Sequence, residues 1–287
     1  MVRELAKQYR LVDILAVVKD LKKSTYWYWN RKLNEEHPDQ GMESLILSIY
    51  DEHNGNYGYR RMEAQLRNQG HVVNHKKVLR IMRKRGILCT KYTRKSRKYR
   101  AYKGNVGSIS KNRIRRRFST PIPLQKVSTD ITEFKCRGGK KLYLSPFLDM
   151  FNGEIIAFAM NDRPSLDLVL QPFESVLDRL QDAKYRTTIH SDQGWHYQHA
   201  KWCKQLHKHK IFQSMSRKGN CLDNSPIENF FGLLKQEIYY GVPFRTYEEL
   251  REEITNYIHY YNNKRIKQKL AGMSPVQYRI HSNQLAA

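Results

Sequence analysis

Three acidic residues in the second half of the chain have the type and spacing of metal ligands. Asp130 lies in the β-branched segment STDITEF, Asp192 lies in IHSDQG, and Glu228 follows Asp192 with 35 residues between them. Mg²⁺ takes carboxylate oxygens and completes its shell with water and phosphate oxygens. Two such ions about 3.5–4 Å apart can activate an attacking oxygen and stabilise a leaving one. Together the three acids predict a site for two hard cations.

Each acid also has an ordinary structural interpretation. Asp192 could be a turn residue beside Gly194, and Glu228 could complete a helix capping box with Ser225. Asp130 could bond to a neighbouring Ser or Thr. Taken singly, the structural interpretations of Asp192 and Glu228 are at least as good as the catalytic one. Taken together, in a chain whose charge indicates nucleic-acid binding, the metal site is the better account.

The charge of the chain is strongly positive and unevenly distributed. Among 287 residues, 52 Lys and Arg stand against 27 Asp and Glu, for a net charge of +25. Residues 1–120 hold 29 of the basic and 10 of the acidic residues, and the stretch from Ala64 to Thr129 has no Asp or Glu. Such a stretch repels itself unless a polyanion neutralises it. Nucleic acid is the expected partner, with DNA and RNA both open at this stage, because phosphate contacts release condensed counterions.

Hydrophobic periodicity indicates the elements that must position the acids. In the first predicted strand, alternation places Ser128, Asp130 and Thr132 on one face. Three hairpin strands followed by alternating strands and helices indicate a mixed sheet flanked by helices, an α/β domain. The predicted strands are 126–134, 140–150, 154–160, 186–192 and 211–215, and the predicted helices are 165–182, 199–209, one from 225, 246–263 and a short one from 274.

The first part of the chain is predicted to be helical. Residues 3–36 carry apolar side chains at three- and four-residue steps, and further helical patterns lie at 42–50, 59–70 and 74–86. A short turn followed by a basic helix is typical of a helix-turn-helix whose last helix enters the major groove, and a plain basic helical bundle is the alternative. The candidate DNA contacts on the last helix are His75, Lys76, Lys77, Arg80, Arg83 and Lys84.

A basic segment connects the two halves. Residues 91–120 have almost no apolar periodicity, and the sequence TPIPLQ ends the segment. We predict a linker that becomes ordered along a phosphate backbone. Its candidate DNA contacts are Arg115, Arg116 and Arg117.

Several classes of protein are disfavoured by the sequence. No apolar run approaches the ~18 residues of a membrane span, and the N-terminus lacks the apolar core of a signal peptide. The four cysteines form no C-x-x-C pair, which argues against a disulfide framework or a zinc ribbon. We therefore expect a reduced, cytoplasmic chain with no membrane partner.

A second group of possible ligands lies between residues 196 and 209. Structural zinc usually has closely paired ligands on a turn, so a packed or solvated helix is the preferred interpretation of these side chains. Beside them, Trp195 and Tyr197 could either pack in the core or touch an unpaired DNA base. The group consists of His196, His199, Cys203 and His207.

Four motifs resemble those of the second-frame (OrfB) transposases of the three-numbered family of bacterial insertion sequences. They are STDITEF, IHSDQGWHY, SMSRKGNCLDNSPIENFFGLLKQE and YIHYYNNKRIKQKLAGMSPVQYR. The segment YGYRRMEAQLRNQGHVVNHKKVLRIMRKRGI resembles the helix-turn-helix region that those proteins carry before the catalytic core. The resemblance extends from about residue 42 to residue 280.

The resemblance implies a DDE recombinase with a ribonuclease-H-like, retroviral-integrase-like core. In it Asp130, Asp192 and Glu228 bind two Mg²⁺ ions, with Mn²⁺ as a substitute. Lys235 matches the basic residue of the extended motif, and because it stands seven residues after Glu228 the two side chains share a helix face. Lys235 could then contact DNA beside the scissile phosphate. The implied activity is cleavage at element ends and strand transfer by attack of a 3′-OH on a phosphodiester.

The resemblance also implies partners. They are DNA, as the terminal repeats of the element and as the target, and the first-frame product (OrfA), as a separate protein or in a frameshift fusion, because the chain lacks the family's upstream DNA-binding segment. We further expect a homo-oligomer on DNA, associated with the nucleoid. Two other functions stay open, a non-catalytic DNA-binding regulator and a ribonuclease-H-like nuclease that does not join strands.

The expected organisation is an α/β, ribonuclease-H-like mixed-sheet catalytic core preceded by an all-α helix-turn-helix region. The boundaries that we predict are 1–40 for an N-terminal helical segment, 41–90 for the helix-turn-helix domain, 91–123 for the basic linker, 124–240 for the catalytic core and 241–287 for a C-terminal helical extension.

Overall fold

A computed structural model describes most of the chain and divides it into two compact units. The described residues are 2–18, 21–34, 39–91, 109–181, 183, 185–217 and 220–286. The units are Met1–Glu52 and His53–Ala287. Most of the predicted basic linker, residues 92–108, lies outside the described part of the chain.

The first unit consists of short helices. The described part of residues 3–36 is largely helical, as predicted, but it is divided into separate helices, because the backbone at Arg10 is extended and starts a new helix. Its apolar residues are largely exposed, Val12 by 61% and Val17 by 81%, so little tertiary packing stabilises one long helix. The helices are α1 (Val2–Leu5), α2 (Leu11–Val17), α3 (Lys23–Asn34) and α4 (Gln40–Glu52).

The second unit begins with the two basic helices that the sequence predicts. These are α5 (Tyr59–Asn68) and α6 (His75–Lys84), and the backbone N–H of Lys76 donates to the Asn74 side chain at 2.8 Å, which caps α6. Val78, Ile81 and Met82 of α6 are buried. The apolar stripe and the cap are therefore confirmed, and the opposite face of α6 carries the predicted cations.

A mixed sheet forms the centre of the second unit, as predicted. Strand β3 pairs antiparallel with β1, β2 and β4, while β1 pairs parallel with β5, and β5 parallel with β6. The strands are β1 (Lys126–Thr129), β2 (Thr132–Lys135), β3 (Lys141–Asp149), β4 (Ile155–Asn161), β5 (Thr188–Ser191) and β6 (Phe212–Met215).

The first predicted strand is interrupted at Asp130. Residues 126–134 were expected to form one strand, but β1 ends at Thr129 and β2 begins at Thr132. Both pieces pair with β3 in the same register, which places Asp130 opposite Pro146. Proline has no N–H to donate to a ladder, so the pairing is weakest there. The side-chain alternation across the break is that of one strand.

Helices cover both faces of the sheet. On one face α10 and α11 pack on β2 and β3 through side chains such as Phe134, Leu144 and Phe230. On the other face α7 packs on β3 and β4 and α9 packs on β6, with side chains such as Phe173 and Trp202 in the shared core. The helices are α7 (Asp167–Leu180), α8 (Trp195–Gln198), α9 (Ala200–Lys208), α10 (Ser225–Leu234), α11 (Tyr247–Asn263) and α12 (Pro275–Ala286), with a π-helical turn at Lys235–Tyr239.

The C-terminal segment links the basic helices to the sheet domain. The backbone N–H of Ile266 donates to the Tyr57 hydroxyl at 3.0 Å, and Asn68 of α5 donates to the carbonyl of Gly272 at 2.8 Å. Tyr57 is fully buried. No helix among the described residues is both long enough and apolar enough to cross a membrane.

Candidate active site

Pairing of β1 with β5 brings two of the acids together. The parallel register joins Lys126 to Thr188 and Ser128 to His190, so its continuation places Asp130 beside Asp192. Both acids follow the carboxyl ends of their strands, where open α/β sheets form ligand sites. Neighbouring strands lie about 4.8 Å apart, so the two carboxylates occupy one small region of the sheet edge.

Helix α10 brings the third acid to the same place. The strand face that carries Ser128, Asp130 and Thr132 contacts α10 near both ends of the helix. At the start of the helix, Asn224 bonds to Ser128 and Asp130, and just after its end Lys235 bonds to Thr132. Glu228 lies between these two contacts in the first turn of α10.

Burial and neighbouring carboxylates affect the charges of the three acids. Burial raises the pKa of Asp130 well above its usual range, and the neighbouring Asp192 and Glu228 carboxylates raise it further. Burial also raises the pKa of Asp192, against the effect of the Gly194 N–H, and burial and Asp192 raise the pKa of Glu228. Like charges in a poorly solvated site disfavour ionisation. The three groups therefore share one electrostatic environment that a cation would stabilise.

The donor set fits a hard divalent cation, although the side chains are turned aside. Among the described residues, no three His, Cys, Asp or Glu side chains lie together in the geometry of a metal site. Asp130 Oδ1 accepts a hydrogen bond from its neighbour Ile131 N at 2.7 Å, and Asp192 Oδ1 accepts from Gly194 N at 2.8 Å. These bonds turn mutually repelling carboxylates toward backbone donors.

The capping interpretation of Glu228 is wrong. Helix α10 begins at Ser225 with Pro226 in its first turn, so Asn224, not Ser225, occupies the N-cap position. The Asn224 side chain makes no capping hydrogen bond and is directed at the strand instead. The capping box that the structure does contain joins Thr246 and Glu249 at the start of α11, as predicted.

Lys235 lies close to the acids but its ammonium group has protein partners. Its Nζ donates to Thr132 Oγ1 at 2.6 Å and to the Glu133 carbonyl at 3.2 Å, and it lies 4.9 Å from the centre of the Phe134 ring. Burial lowers the pKa of Lys235, while the nearby Glu133 and Asp130 raise it. Lys235 therefore contributes positive charge to the site from within the protein.

Three residues near the acids were not assigned to the site from the sequence. The sequence predicted no role there for Asn224 or Asp223, and it left the role of Tyr197 open. The Tyr197 hydroxyl lies 3.4 Å from Thr129 Oγ1, and burial raises the pKa of Tyr197 well above its usual range, with Asp130 and Asp192 adding to the effect. Tyr197 thus belongs to the core below the acids, not to a base-contacting surface. The one sequence signal for Asn224 is its position one helical turn before Glu228.

The predicted DNA contacts differ in their surroundings. On α6, His75, Lys76, Arg80, Arg83 and Lys84 are exposed and Lys77 is partly buried. In the former linker, Arg115 and Arg117 are exposed, whereas Arg116 forms an ion pair at 2.9 Å with the fully buried Asp223 carboxylate. Residues 109–118 lie against the sheet domain, with Ile114 in its core, so this part of the linker is already ordered without a phosphate backbone.

The His and Cys side chains of the 196–209 segment have separate local partners. His196 contacts the Pro164 carbonyl at 2.7 Å, and His199 caps α9 by accepting from Lys201 N at 3.1 Å. Cys203 contacts the carbonyls of Tyr197 and Gln198. The packed-helix interpretation accounts for these groups.

Known protein families match both the helix-turn-helix region and the sheet domain of this chain. The integrase core domain family matches residues 120–221 and 228–282, and an HTH-like domain family matches residues 36–96. The InsK protein of insertion sequence element IS150 of Escherichia coli K12 is 40% identical over 95% of each chain. The transposase InsF for insertion sequence IS3A of the same organism is 31% identical over 83% of this chain and 82% of its own. The HTLV-2 integrase catalytic core solved with magnesium is 15% identical, covers 55% of this chain and 97% of its own, and has a TM-score of 0.41.

Proposed function

This chain belongs to the family of insertion-sequence transposases, and on that premise we propose that Asp130, Asp192 and Glu228 form its catalytic centre. A transposase of this class hydrolyses a phosphodiester to free a 3′-OH at the element end. That hydroxyl then attacks a second phosphodiester, so one P–O bond forms as another breaks. The observation that supports the assignment is that β1, β5 and the first turn of α10 bring the three carboxylates to one edge of the sheet, where Asp192 and Glu228 raise the pKa of Asp130.

Divalent metal is the cofactor that the acids fit. We propose that the three carboxylates hold two Mg²⁺ ions and that Mn²⁺ can replace them. When bound, such ions act as Lewis acids toward phosphate and attacking oxygens. The raised pKa values of the acids support the proposal, because buried carboxylates without a cation resist ionisation.

Lys235 has a positioning role in this proposal. Its hydrogen bonds to Thr132 and the Glu133 carbonyl support a role in holding β2 against the end of α10. Its charge offsets part of the repulsion among the acids. These two bonds use two of the three ammonium N–H donors, so direct contact with the phosphate beside the scissile bond would use the third.

DNA binding is assigned to α6 and the segment before the sheet. The exposed cations of α6 support groove or backbone contact, and Arg115 and Arg117 support contact with DNA close to the core. Arg116 is better suited to holding Asp223. We propose the element's terminal repeats and the target as the DNA partners, the first-frame product as a protein partner, alone or in a frameshift fusion, and a homo-oligomer as the active form in the bacterial cytosol.

The domain boundaries that the sequence predicts are part of the proposal. We propose a helix-turn-helix region over 41–90, a linker over 91–123, a catalytic core over 124–240 and a C-terminal extension over 241–287. The contacts of Tyr57 and Asn68 with the C-terminal segment support close association of the helix-turn-helix region with that extension.

A direct assay tests the proposal. The purified chain is incubated with end-labelled DNA that carries the element ends, with and without the first-frame protein, in Mg²⁺ or in EDTA. We expect Mg²⁺-dependent nicks that leave a 3′-OH, followed by joined products on a denaturing gel. Cleavage without joining would indicate a nuclease, and binding without any metal-dependent nick would indicate a regulator.

Substituting Gly194 should damage the site without unfolding the chain. Gly194 has an ordinary φ of −57°, but an added Cβ would lie 2.9 Å from Asp192 Oδ1. Gly194→Ala must therefore displace the carboxylate, and we expect cleavage to fall by about 10²-fold, as misplacement of a reacting group by about 1 Å can produce. The control is Gly58→Ala, where nothing lies within 4 Å of the added Cβ. Equal cleavage by the two variants would contradict the assignment of Asp192.

A further inference from the structure

The side chain of Asn224 connects the strand of Asp130 to the helix of Glu228. Asn224 Oδ1 accepts from Ser128 Oγ at 2.9 Å, and its Nδ2 donates to Asp130 Oδ2 at 3.3 Å. Asn224 is 2% exposed and Ser128 is fully buried. The amide is therefore an internal bridge between two of the elements that carry the acids.

The Asn224 side chain forms this bridge instead of capping the helix, which is the ordinary role of an Asn at this position. Asn is among the best N-cap residues, and a capping side chain stabilises a helix by roughly 1 kcal/mol. At the N-cap of α10 the Asn224 side chain makes no capping bond. Helix α10 therefore lacks the stabilisation of a side-chain cap. The Nδ2–H of Asn224 is directed at the Asp130 carboxylate instead.

The backbone of Asn224 is itself held from two sides. The carboxylate of Asp223 accepts from Arg217 Nε and Arg116 Nε, each at 2.9 Å. The Asp223 carbonyl accepts from His190 Nε2 at 2.8 Å. His190 lies on β5 two residues before Asp192, so the start of α10 is tied to the second acidic strand as well as to the first.

The orientation of Asp130 follows from two donors. Its Oδ1 accepts from Ile131 N at 2.7 Å and its Oδ2 from Asn224 Nδ2, so the plane of the carboxylate is defined on both sides. Hydrogen-bond partners of metal-binding carboxylates typically change metal affinity by 10–100-fold when removed. Glu228 follows Asn224 by one helical turn, so the same bridge sets its distance from Asp130.

We propose that Asn224 is a positioning residue that holds the Asp130 carboxylate and the start of α10 in the arrangement that binds divalent cations. This inference rests on the proposed catalytic role of Asp130 and Glu228. Asn224 itself touches neither substrate nor cation. If the role of Asn224 were purely structural, its side chain would only satisfy buried hydrogen-bonding groups, and its loss would not weaken metal binding.

Asn262 provides a matched structural control. Its side chain accepts from Ile155 N and donates to Ile155 O, each at 2.9 Å, so it also joins a helix to a strand. It bonds to the backbone of β4, which is separated from β1 by β3, and not to a carboxylate. Asn262→Ala therefore loses a comparable pair of hydrogen bonds without touching the site.

The test measures metal binding by the full chain without DNA. We expect Asn224→Ala to bind Mn²⁺ about 10–100-fold more weakly than the parent by electron paramagnetic resonance, and Asn262→Ala to bind within about twofold. The Mg²⁺ concentration for half-maximal cleavage should rise by the same factor, with little change in rate at saturating Mg²⁺. Thermal melts of each variant report on folding.

A second variant tests the bridge if Asn224→Ala folds poorly. Ser128→Ala removes only the far hydrogen bond, so it should weaken Mn²⁺ binding in the same direction by a smaller factor. Parent-like Mn²⁺ binding in both variants, or equal weakening in Asn262→Ala, would overturn the role of Asn224. Full cleavage by Asp130→Asn would instead overturn the catalytic centre, so the two failures are distinguishable.

Discussion

Replacing any one of the three acids with its amide is expected to lower DNA cleavage and strand transfer by at least about 10²-fold. Asp130→Asn, Asp192→Asn and Glu228→Gln each remove one anionic ligand, and bound metal supplies several kcal/mol of charge stabilisation in phosphoryl transfer. The acids act as one unit, so the double variants should lose little more activity than the single ones. Gel assays with labelled element ends measure both steps.

DNA affinity should be unchanged in these variants, since the cations of α6 are untouched. A mobility-shift titration at fixed salt gives this control. An amide variant that cleaves and joins at near-parental rates would remove that residue from the catalytic centre. Loss of DNA binding together with cleavage would show instead that the substitution had disturbed the fold.

The thermal stability of the metal-free protein gives an independent test of the burial of Asp192. A carboxyl whose pKa is higher in the folded chain destabilises the fold once pH rises above its unfolded value. Burial raises the pKa of Asp192 in this way, so in EDTA the parent should gain thermal stability as pH falls from 7 toward the ordinary carboxyl range. In Asp192→Asn the amide oxygen can still accept from Gly194 N, and we expect a melting temperature at pH 7 at least equal to the parent's, with a weaker pH dependence.

Breaking the buried ion pair between Glu237 and Arg265 is expected to lower the free energy of unfolding by about 3–5 kcal/mol. The Arg265 guanidinium contacts Glu237 Oε1 at 2.6 Å through Nη2, and the side chains are 1% and 0% exposed. The Tyr257 hydroxyl donates to Glu237 Oε2 at 3.0 Å. Glu237→Gln removes the carboxylate that faces the buried guanidinium, and removing one partner of a buried pair is the costly change.

The position of this pair extends its effect to the rest of the molecule. Glu237 lies in the π-helical turn that also contains Lys235, and Arg265 precedes Ile266, whose N–H donates to Tyr57. Loss of the pair should therefore loosen both the end of α10 and the contact with the basic helices. Native-state hydrogen exchange would detect the loosening as faster exchange at the Ile266 amide.

A partly exposed pair in the same region is the control. Arg245 contacts Glu253 at 2.5 Å, with both side chains 29% exposed. Glu253→Gln should cost no more than about 1 kcal/mol, because solvent screens the pair. Urea unfolding followed by circular dichroism compares the variants, and equal losses for Glu237→Gln and Glu253→Gln would contradict the special contribution of the buried pair.

Local patterns in the sequence predicted most of the elements and the identity of the acids. Alternation along 126–134 correctly placed Ser128, Asp130 and Thr132 on one face, and the caps of α6 and α11 were predicted from Asn74 and from Thr246. Motif resemblance led to the family, which the relatives confirm. These features depend on side chains a few residues apart, so short stretches of sequence contain them.

Other features depended on contacts between distant segments and could not be predicted in this way. Pro146 on β3 lies opposite the break at Asp130. The Asn224 side chain does not cap α10 but bonds to Asp130, which is 94 residues away in the sequence. The division of residues 3–36 into separate helices was not evident from the sequence, and the apolar residues there find little to pack against.

The sequence by itself determined which acidic and basic side chains this transposase has, and which local elements carry them. Tertiary structure alone decided that β1 and β5 pair in the register that sets Asp130 beside Asp192, and that Arg116 forms an ion pair with the buried Asp223. The physical reason is the range of the interactions. Helix and strand periodicity arises within a few residues, whereas register and ion pairing are selected by the free energy of the whole packed domain.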